Sequence, residues 1–205
     1  MTKLPPKTVE RLSQYRRVLK KYEDMKGSHI FSHDLARLLK LNPVQVRRDL
    51  MLIGFPGNYR SGYNVQDLLR LIDKTLTIPK SQNTAIIGMG RLGKAILHHI
   101  FPSNVCPVTV KACFDVDHSK VNKDYHGVHC YDISKIPEII KKNDINIAIL
   151  TISDDDIQAI VDVLVDSGIK GIVNYIAGPI RVPDEIYFKE YDIRTTLEEM
   201  SYFID

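Results

Sequence analysis

The run Gly88-Met89-Gly90-Arg91-Leu92-Gly93 spaces three glycines as G-x-G-x-x-G, directly after the apolar stretch Thr84-Ala85-Ile86-Ile87 and ahead of a helical pattern over 92–100. The first glycine permits a tight turn, the second lets a pyrophosphate approach the backbone, and the third lets helix and strand pack closely. The helix N-terminus that follows offers unpartnered N–H groups and the positive end of a dipole. The next strand ends in Phe114-Asp115-Val116-Asp117, with Asp115 standing 22 residues after Gly93. A carboxylate at that place accepts hydrogen bonds from adenosine ribose hydroxyls and repels a 2′-phosphate. The chemistry expected is therefore binding of NADH and NAD+, carried by Gly88, Met89, Gly90, Arg91, Leu92, Gly93 and Asp115.

A second set of residues points to nucleic acid. Leu35 to Leu50 fits a helix-turn-helix, with Ala36 allowing close helix approach and Leu41, Val46 and Leu50 filling the shared core. Gln45, Arg47 and Arg48 lie off that core stripe, in the half of the second helix that reaches base edges or phosphates in a major groove. The stretch Gly54 to Tyr63 is too rich in Gly and Pro for a helix and suits a tight hairpin, a wing with Tyr59 and Arg60 available to the minor groove or backbone.

Other polar clusters are read as structural. His98 and His99 have no carboxylate partner in sequence, and His118, His126 and His129 lack metal-ligand spacing with a third ligand. Asp154-Asp155-Asp156 suits the first turn of a helix, where acidic residues offset the dipole. Neither catalytic residues nor a metal site are expected, and the chain is read as a binding protein rather than an enzyme.

The elements that must position these residues fall into two halves of opposite charge. Residues 1–80 carry sixteen Lys and Arg against seven Asp and Glu, a net of +9, while 81–205 carry twelve against eighteen, a net of −6. A strongly basic block is what a phosphate-binding module needs. The first half is helical in period: Val9, Leu12, Tyr15, Leu19, Tyr22 and Met25 mark a helix from Pro5-Pro6 to Gly27, Ser32 is placed to cap a short helix, and Asn42-Pro43 and Asn64 open two more. After the polar joint 78–83, strands near 84–87, 108–114, 128–131, 145–150, 171–175 and 186–189 alternate with helices, which predicts a parallel sheet covered on both faces. The expected fold is α/β: a winged-helix domain over 1–80, a Rossmann domain over 81–190, and a C-terminal helix over 191–205 whose Leu197, Met200, Phe203 and Ile204 form an apolar side. A 44% apolar, 26% charged chain of 205 residues excludes disordered and collagenous classes. No 18-residue apolar run or secretory h-region is present, and Cys106, Cys113 and Cys130 have neither disulfide-framework nor metal-pair spacing. Buried reduced thiols and a cytoplasmic setting are expected.

Taken in order along the chain, these residues resemble the Rex family of redox-sensing transcriptional repressors. The stretches that carry the resemblance are Val46-Arg47-Arg48-Asp49-Leu50, Gly62-Tyr63, Gly88 to Gly93, Phe114-Asp115-Val116-Asp117, Ile147 to Thr151, Gly168 to Asn174, Val182-Pro183 and Tyr202-Phe203-Ile204. The resemblance implies a homodimer with winged-helix heads, Rossmann bodies and a C-terminal helix exchanged between subunits. It implies binding to double-stranded inverted-repeat operator DNA, released when NADH rather than NAD+ occupies the body. It also implies that Thr151 belongs to the cofactor site, and that Arg17 and Asp192 pair across subunits in the DNA-binding state. The chain departs from the family pattern at His99, at Thr151-Ile152-Ser153, at Asn174-Tyr175-Ile176-Ala177, at Met51-Leu52-Ile53-Gly54 and at Tyr59-Arg60. Two alternatives stay open on the same residues: a DNA-binding relative that no longer distinguishes NADH from NAD+, and a small NAD-dependent dehydrogenase.

Overall fold

A proline pair, two asparagine caps and two left-handed helix ends set the architecture of the N-terminal half. The computed structural model describes residues 4–26, 28–55, 61–77, 82–100, 108–152, 157–176 and 178–204, with the side chains of 23–26 and 100 left aside. The chain forms two compact units, Met1–Pro79 and Lys80–Asp205. In the first, α1 (Pro6–Lys26) starts where the Pro5 carbonyl accepts from the N–H groups of Thr8 and Val9. Leu12, Tyr15 and Leu19 of α1 are fully buried, whereas Val9, expected on that stripe, is exposed.

The pair α2 (Ser32–Leu39) and α3 (Pro43–Leu52) forms the expected helix-turn-helix. Its turn is tight because Lys40 adopts a left-handed conformation (φ 54°), letting the Leu41 N–H bond to Ala36 O at 2.8 Å. Asn42 then caps α3, its Oδ1 accepting from the Val44 N–H at 2.8 Å, with Pro43 in the first turn. Ser32 does not cap α2 as expected: Phe31 holds the cap position without a side-chain bond, and the Ser32 hydroxyl accepts from Arg47 Nη1 at 3.1 Å. Gly54 (φ +80°) ends α3 with its N–H on Met51 O and the Phe55 N–H on Leu50 O, the paired bonds of a Schellman motif.

Of the hairpin expected across 54–63, the described residues contain the strand β2 (Tyr63–Asn64), which pairs antiparallel with β1 (His29–Ile30). Residues 56–60 lie outside the described residues. Asn64 caps α4 (Val65–Leu76) through the Asp67 N–H at 3.0 Å. Val46 and Leu50 of α3 join Leu12, Tyr15, Leu19, Leu35, Leu68 and Ile72 in one buried core.

The second unit is built on β3 (Gln82–Ile87), β4 (Val108–Asp115), β5 (Asp124–Tyr125), β6 (Val128–Asp132), β7 (Ile145–Leu150), β8 (Gly171–Asn174) and β9 (Tyr187–Glu190). They form one sheet in the order β5-β6-β4-β3-β7-β8-β9, parallel throughout except for the β5-β6 edge pair. Among the parallel strands chain order runs outward from β3 in both directions, through β4 and β6 on one side and β7, β8 and β9 on the other, the doubly wound pattern whose ligand crevice opens at the carboxyl ends of the strands flanking the switch. Here those strands are β3 and β7. The helices are α5 (Arg91–Ile100), α6 (Ile136–Lys142), α7 (Ile157–Asp166) and α8 (Ile193–Phe203). Ile87, Phe114, Ala148, Leu150, Val161 and Leu164 anchor the largest core cluster. No residue of α8 is buried, and Ile193, Leu197, Met200, Phe203 and Ile204 are exposed.

Candidate ligand and nucleic-acid sites

The glycine loop joins the carboxyl end of β3 to α5 and is fastened from both neighbouring strands. The Gly88 N–H donates to Phe114 O of β4 at 2.7 Å, and the Thr151 N–H, just past β7, donates to Ile87 O at 2.9 Å. The Thr151 hydroxyl lies 3.0 Å from Ile87 O and 2.7 Å from Gly88 O, so it clasps the loop backbone. The three glycines are required for different reasons. A Cβ at Gly88 would meet Ile152 at 2.2 Å, and its φ of +100° excludes most side chains. A Cβ at Gly93 would lie 1.9 Å from Gly88 O, so the third glycine is what lets the helix start against the loop. A Cβ at Gly90 would meet no described residue within 4 Å. Among the described residues the space at Gly90 is therefore open, and the first helical N–H groups, Arg91 to Gly93, have no preceding turn to bond. Met89 is fully buried, while the side chains of Arg91 and Leu92 are exposed at the loop.

Asp115 ends β4 beside this loop, only 3% exposed. Its Oδ2 accepts from the Met89 N–H at 2.7 Å and its Oδ1 from the Asp117 N–H at 2.8 Å. Lys120 Nζ adds bonds of 3.1 and 3.3 Å to the same carboxylate and lies 3.4 Å from Asp117 Oδ2. Burial works against the Lys120 ammonium, but the two carboxylates outweigh it and raise its pKa. The Ser119 hydroxyl and N–H, with Lys120, lower that of Asp117. Sequence reasoning found Asp115 but not Lys120, whose five-residue separation across a turn carries no periodic signal.

In the N-terminal unit α3 presents Arg48 outward, and the residue has no hydrogen-bond or ion-pair partner among the described residues. Val44, Met51 and Leu52 are exposed on the same helix. Arg47 is exposed but tethered to Ser32, and Gln45 turns back to donate from Nε2 to Asp49 Oδ1 at 2.9 Å. Tyr59 and Arg60 lie outside the described residues.

Asp49, fully buried on the inner face of α3, anchors that helix to α1. Arg11 donates to both of its oxygens, Nε to Oδ2 at 2.6 Å and Nη2 to Oδ1 at 2.7 Å, a bidentate pair. Tyr15 OH donates to Oδ2 at 2.7 Å. Burial alone would raise the Asp49 pKa, but the bonds from Arg11, Tyr15 and Gln45 prevail and hold it below the usual carboxylate range. Burial and Asp49 together push the Tyr15 hydroxyl well above its ordinary value. This network went unread in sequence; the available signal was an acid one residue before Leu50, on the apolar stripe that runs from Val46.

The remaining candidates are separate. Arg17 is an exposed residue of α1 in the first unit. Asp192, in the second, caps α8 by accepting from the Arg194 N–H at 2.8 Å and the Thr195 hydroxyl at 2.7 Å, bonds that lower its pKa. His99 is exposed on α5. Ile176 is pinned through both backbone groups by the buried Asn174 side chain, at 3.0 Å each. Cys106, Ser153, Asp154-Asp155-Asp156 and Ala177 lie outside the described residues. Cys113 and Cys130 are register partners on β4 and β6, both buried. Burial pushes their thiols up, to about 12 and about 11. Among the described residues no group of three or more His, Cys, Asp or Glu could hold a metal ion, and no helix is long and apolar enough to cross a membrane.

Comparison with known proteins joins the two sites in one lineage. Residues 3–50 match the family described as "Putative DNA-binding protein N-terminus", and residues 79–178 match the "CoA binding domain" family. Coenzyme A shares an adenosine pyrophosphate with the dinucleotides. The chain is 34% identical to the redox-sensing transcriptional repressor Rex of Listeria welshimeri, across 100% of this chain and 94% of that protein. It is 35% identical to the Rex of Bacillus pumilus, across 99% and 94%. Among solved structures it is similar to RSP, a Rex-family repressor, with a TM-score of 0.85 and 30% identity over 100% of this chain and 95% of that one. RSP in complex with NAD+ and operator DNA superposes with a TM-score of 0.88 at 30% identity, over 100% and 94%. RSP with NADH gives 0.84 at 29% identity, over 100% and 95%.

Proposed function

The chain belongs to the Rex family of redox-sensing transcriptional repressors, and from that membership we propose that it represses transcription by binding operator DNA and leaves it when NADH rises against NAD+. The observation that carries the proposal is the joint presence of a helix-turn-helix with an outward Arg48 and a glycine loop with open space over Gly90. Relatives matched over the full chain are repressors, and RSP has been solved with NAD+ and operator DNA and with NADH, which supports a sensor rather than a catalyst.

The residues fit a dinucleotide. Gly90 leaves room for a pyrophosphate, the α5 N-terminus supplies N–H donors for its charge, and Asp115 stands where an adenosine ribose would be received. Thr151 acts one step back, holding the loop in shape. On the DNA side, Arg48 serves as the base or phosphate contact, Arg47 and Gln45 flank it, and Tyr59 and Arg60 belong to the wing. The Asp49–Arg11–Tyr15 network sets the pitch of α3 against α1 rather than touching DNA.

The switch is a population shift between a DNA-competent dimer and one whose recognition helices miss the half-site spacing; the reduced dinucleotide favours the second only through its differential affinity. Arg17 of one subunit pairs with Asp192 of the other in the competent form. Asp192 supplies a partly exposed carboxylate, anionic near neutrality, for such a pair. The bare apolar side of α8 supports its exchange between subunits, where burial would stabilise the dimer. The setting is the cytoplasm, where operator and dinucleotide pool meet. Calorimetric titration of the full chain tests the sensor: the expectation is about one NADH per subunit, bound much more tightly than NAD+. Equal affinities would leave a DNA-binding protein without redox discrimination.

A further inference from the structure

The carboxylate that ends β4 is not free to serve a ribose alone. Asp115 is spoken for by the Met89 and Asp117 N–H groups, and its remaining lone pairs face Lys120 Nζ at 3.1 and 3.3 Å. The backbone of Lys120 is held in place by the turn it closes. Its N–H donates to Asp117 O at 2.8 Å, and the Ser119 N–H donates to Asp117 Oδ1 at 2.8 Å. The Lys120 side chain is 28% exposed and its Nζ lies 3.4 Å from Asp117 Oδ2, so the ammonium sits between two carboxylates at the protein surface. The trio Asp115, Asp117 and Lys120 carries a net charge of −1, not the −2 that the sequence Asp-Val-Asp suggests.

We propose that Lys120 is a specificity-determining residue at the adenosine end of the dinucleotide site, an ammonium that shares Asp115 with the ribose and tempers the rejection of a 2′-phosphate. The inference rests on the dinucleotide site proposed above. Two effects of the lysine act in the same direction. It competes with the 2′- and 3′-hydroxyls for the Asp115 lone pairs, which weakens NADH. It also offsets half of the anionic field that a 2′-phosphate would meet, which strengthens NADPH.

The test titrates NADH and NADPH separately into the full-length protein and its Lys120 variants and reads the ratio of the two affinities. Lys120→Met and Lys120→Gln, which remove the charge, are expected to widen the ratio in favour of NADH by about tenfold or more, because a single charge a few ångströms from a phosphate dianion is involved. Lys120→Arg keeps the charge and is expected to hold the ratio within about threefold of wild type. A purely structural lysine would weaken both ligands alike and leave the ratio unmoved, which would overturn the proposal. An unchanged ratio in both neutral variants, with melting temperatures at the wild-type value, would overturn it equally. Failure of the wild-type protein to bind NADH would instead remove the dinucleotide site itself, and the inference with it.

Discussion

Gly90→Ala and Gly93→Ala add the same methyl group three residues apart, and the structure assigns them opposite consequences. At Gly93 the new Cβ would stand 1.9 Å from the Gly88 carbonyl oxygen, where ordinary contact begins at 3.4 Å. Loop and helix would have to part by about 1.5 Å, an overpacking cost of about 1–3 kcal/mol. At a few degrees per kcal/mol, the melting transition of the second unit should fall by roughly 5–10 °C. At Gly90 the Cβ meets no described residue within 4 Å and φ lies outside the left-handed region. Folding should be unharmed, or favoured by up to about 0.5 kcal/mol through a stiffer unfolded chain. The methyl would nonetheless occupy the space reserved for a pyrophosphate, so NADH affinity should drop about 10–100-fold. Calorimetric titration paired with thermal melts of both variants separates the two effects. Wild-type NADH affinity in a Gly90→Ala protein that melts normally would show that the pyrophosphate does not pass over Gly90, and the site assignment would fail.

Three further outcomes are expected. Arg48→Ala should weaken operator binding about 10–100-fold, the worth of a bidentate base contact, and leave NADH affinity unchanged; equal operator affinity in an anisotropy titration would refute the groove assignment. Asp49→Asn strips the half-buried Arg11 and the buried Tyr15 of their carboxylate and should cost about 3 kcal/mol of stability in the N-terminal unit, read by urea unfolding. Because the folded pKa of Asp49 is depressed, its contribution is complete above the ordinary aspartate value and disappears as pH falls through the folded one; the stability difference between wild type and Asn variant should therefore shrink below about pH 4. Cys113 and Cys130, with thiols raised to about 12 and about 11 by burial, should resist a thiol reagent at pH 8 until the protein is unfolded, and rapid labelling of either in the native state would contradict their placement.

What could be read without coordinates was local or periodic. The G-x-G-x-x-G spacing after a strand, the caps at Asn42 and Asn64, the glycine stop at Gly54 and the alternation of strands and helices each depend on a few adjacent residues, and each has its counterpart in the structure. What escaped was made by contacts distant along the chain. Asp49 meets Arg11 across 38 residues, and no period links an acid in the recognition helix to an arginine in the first helix. Ser32 looked like a cap because serine before a helix usually is one; tertiary packing gave its hydroxyl to Arg47 instead. The two-residue strands β1, β2 and β5 are too short to show an alternation. Lys120 illustrates the limit of motif reading: Asp115 was recognised by its distance from the glycines, while the cation that shares its charge was decided by a turn geometry that residue types alone do not display.

Redox control of transcription requires one molecule to couple its glycine loop to its recognition helix, so the decisive measurement reads both together. A labelled duplex, selected by the protein from a random pool, is held at half-saturation and titrated with NADH or NAD+ while anisotropy is followed. NADH should release the duplex, and NAD+ at the same concentrations should leave it bound. Release by both, or by neither despite NADH binding seen in calorimetry, would contradict redox control of operator occupancy.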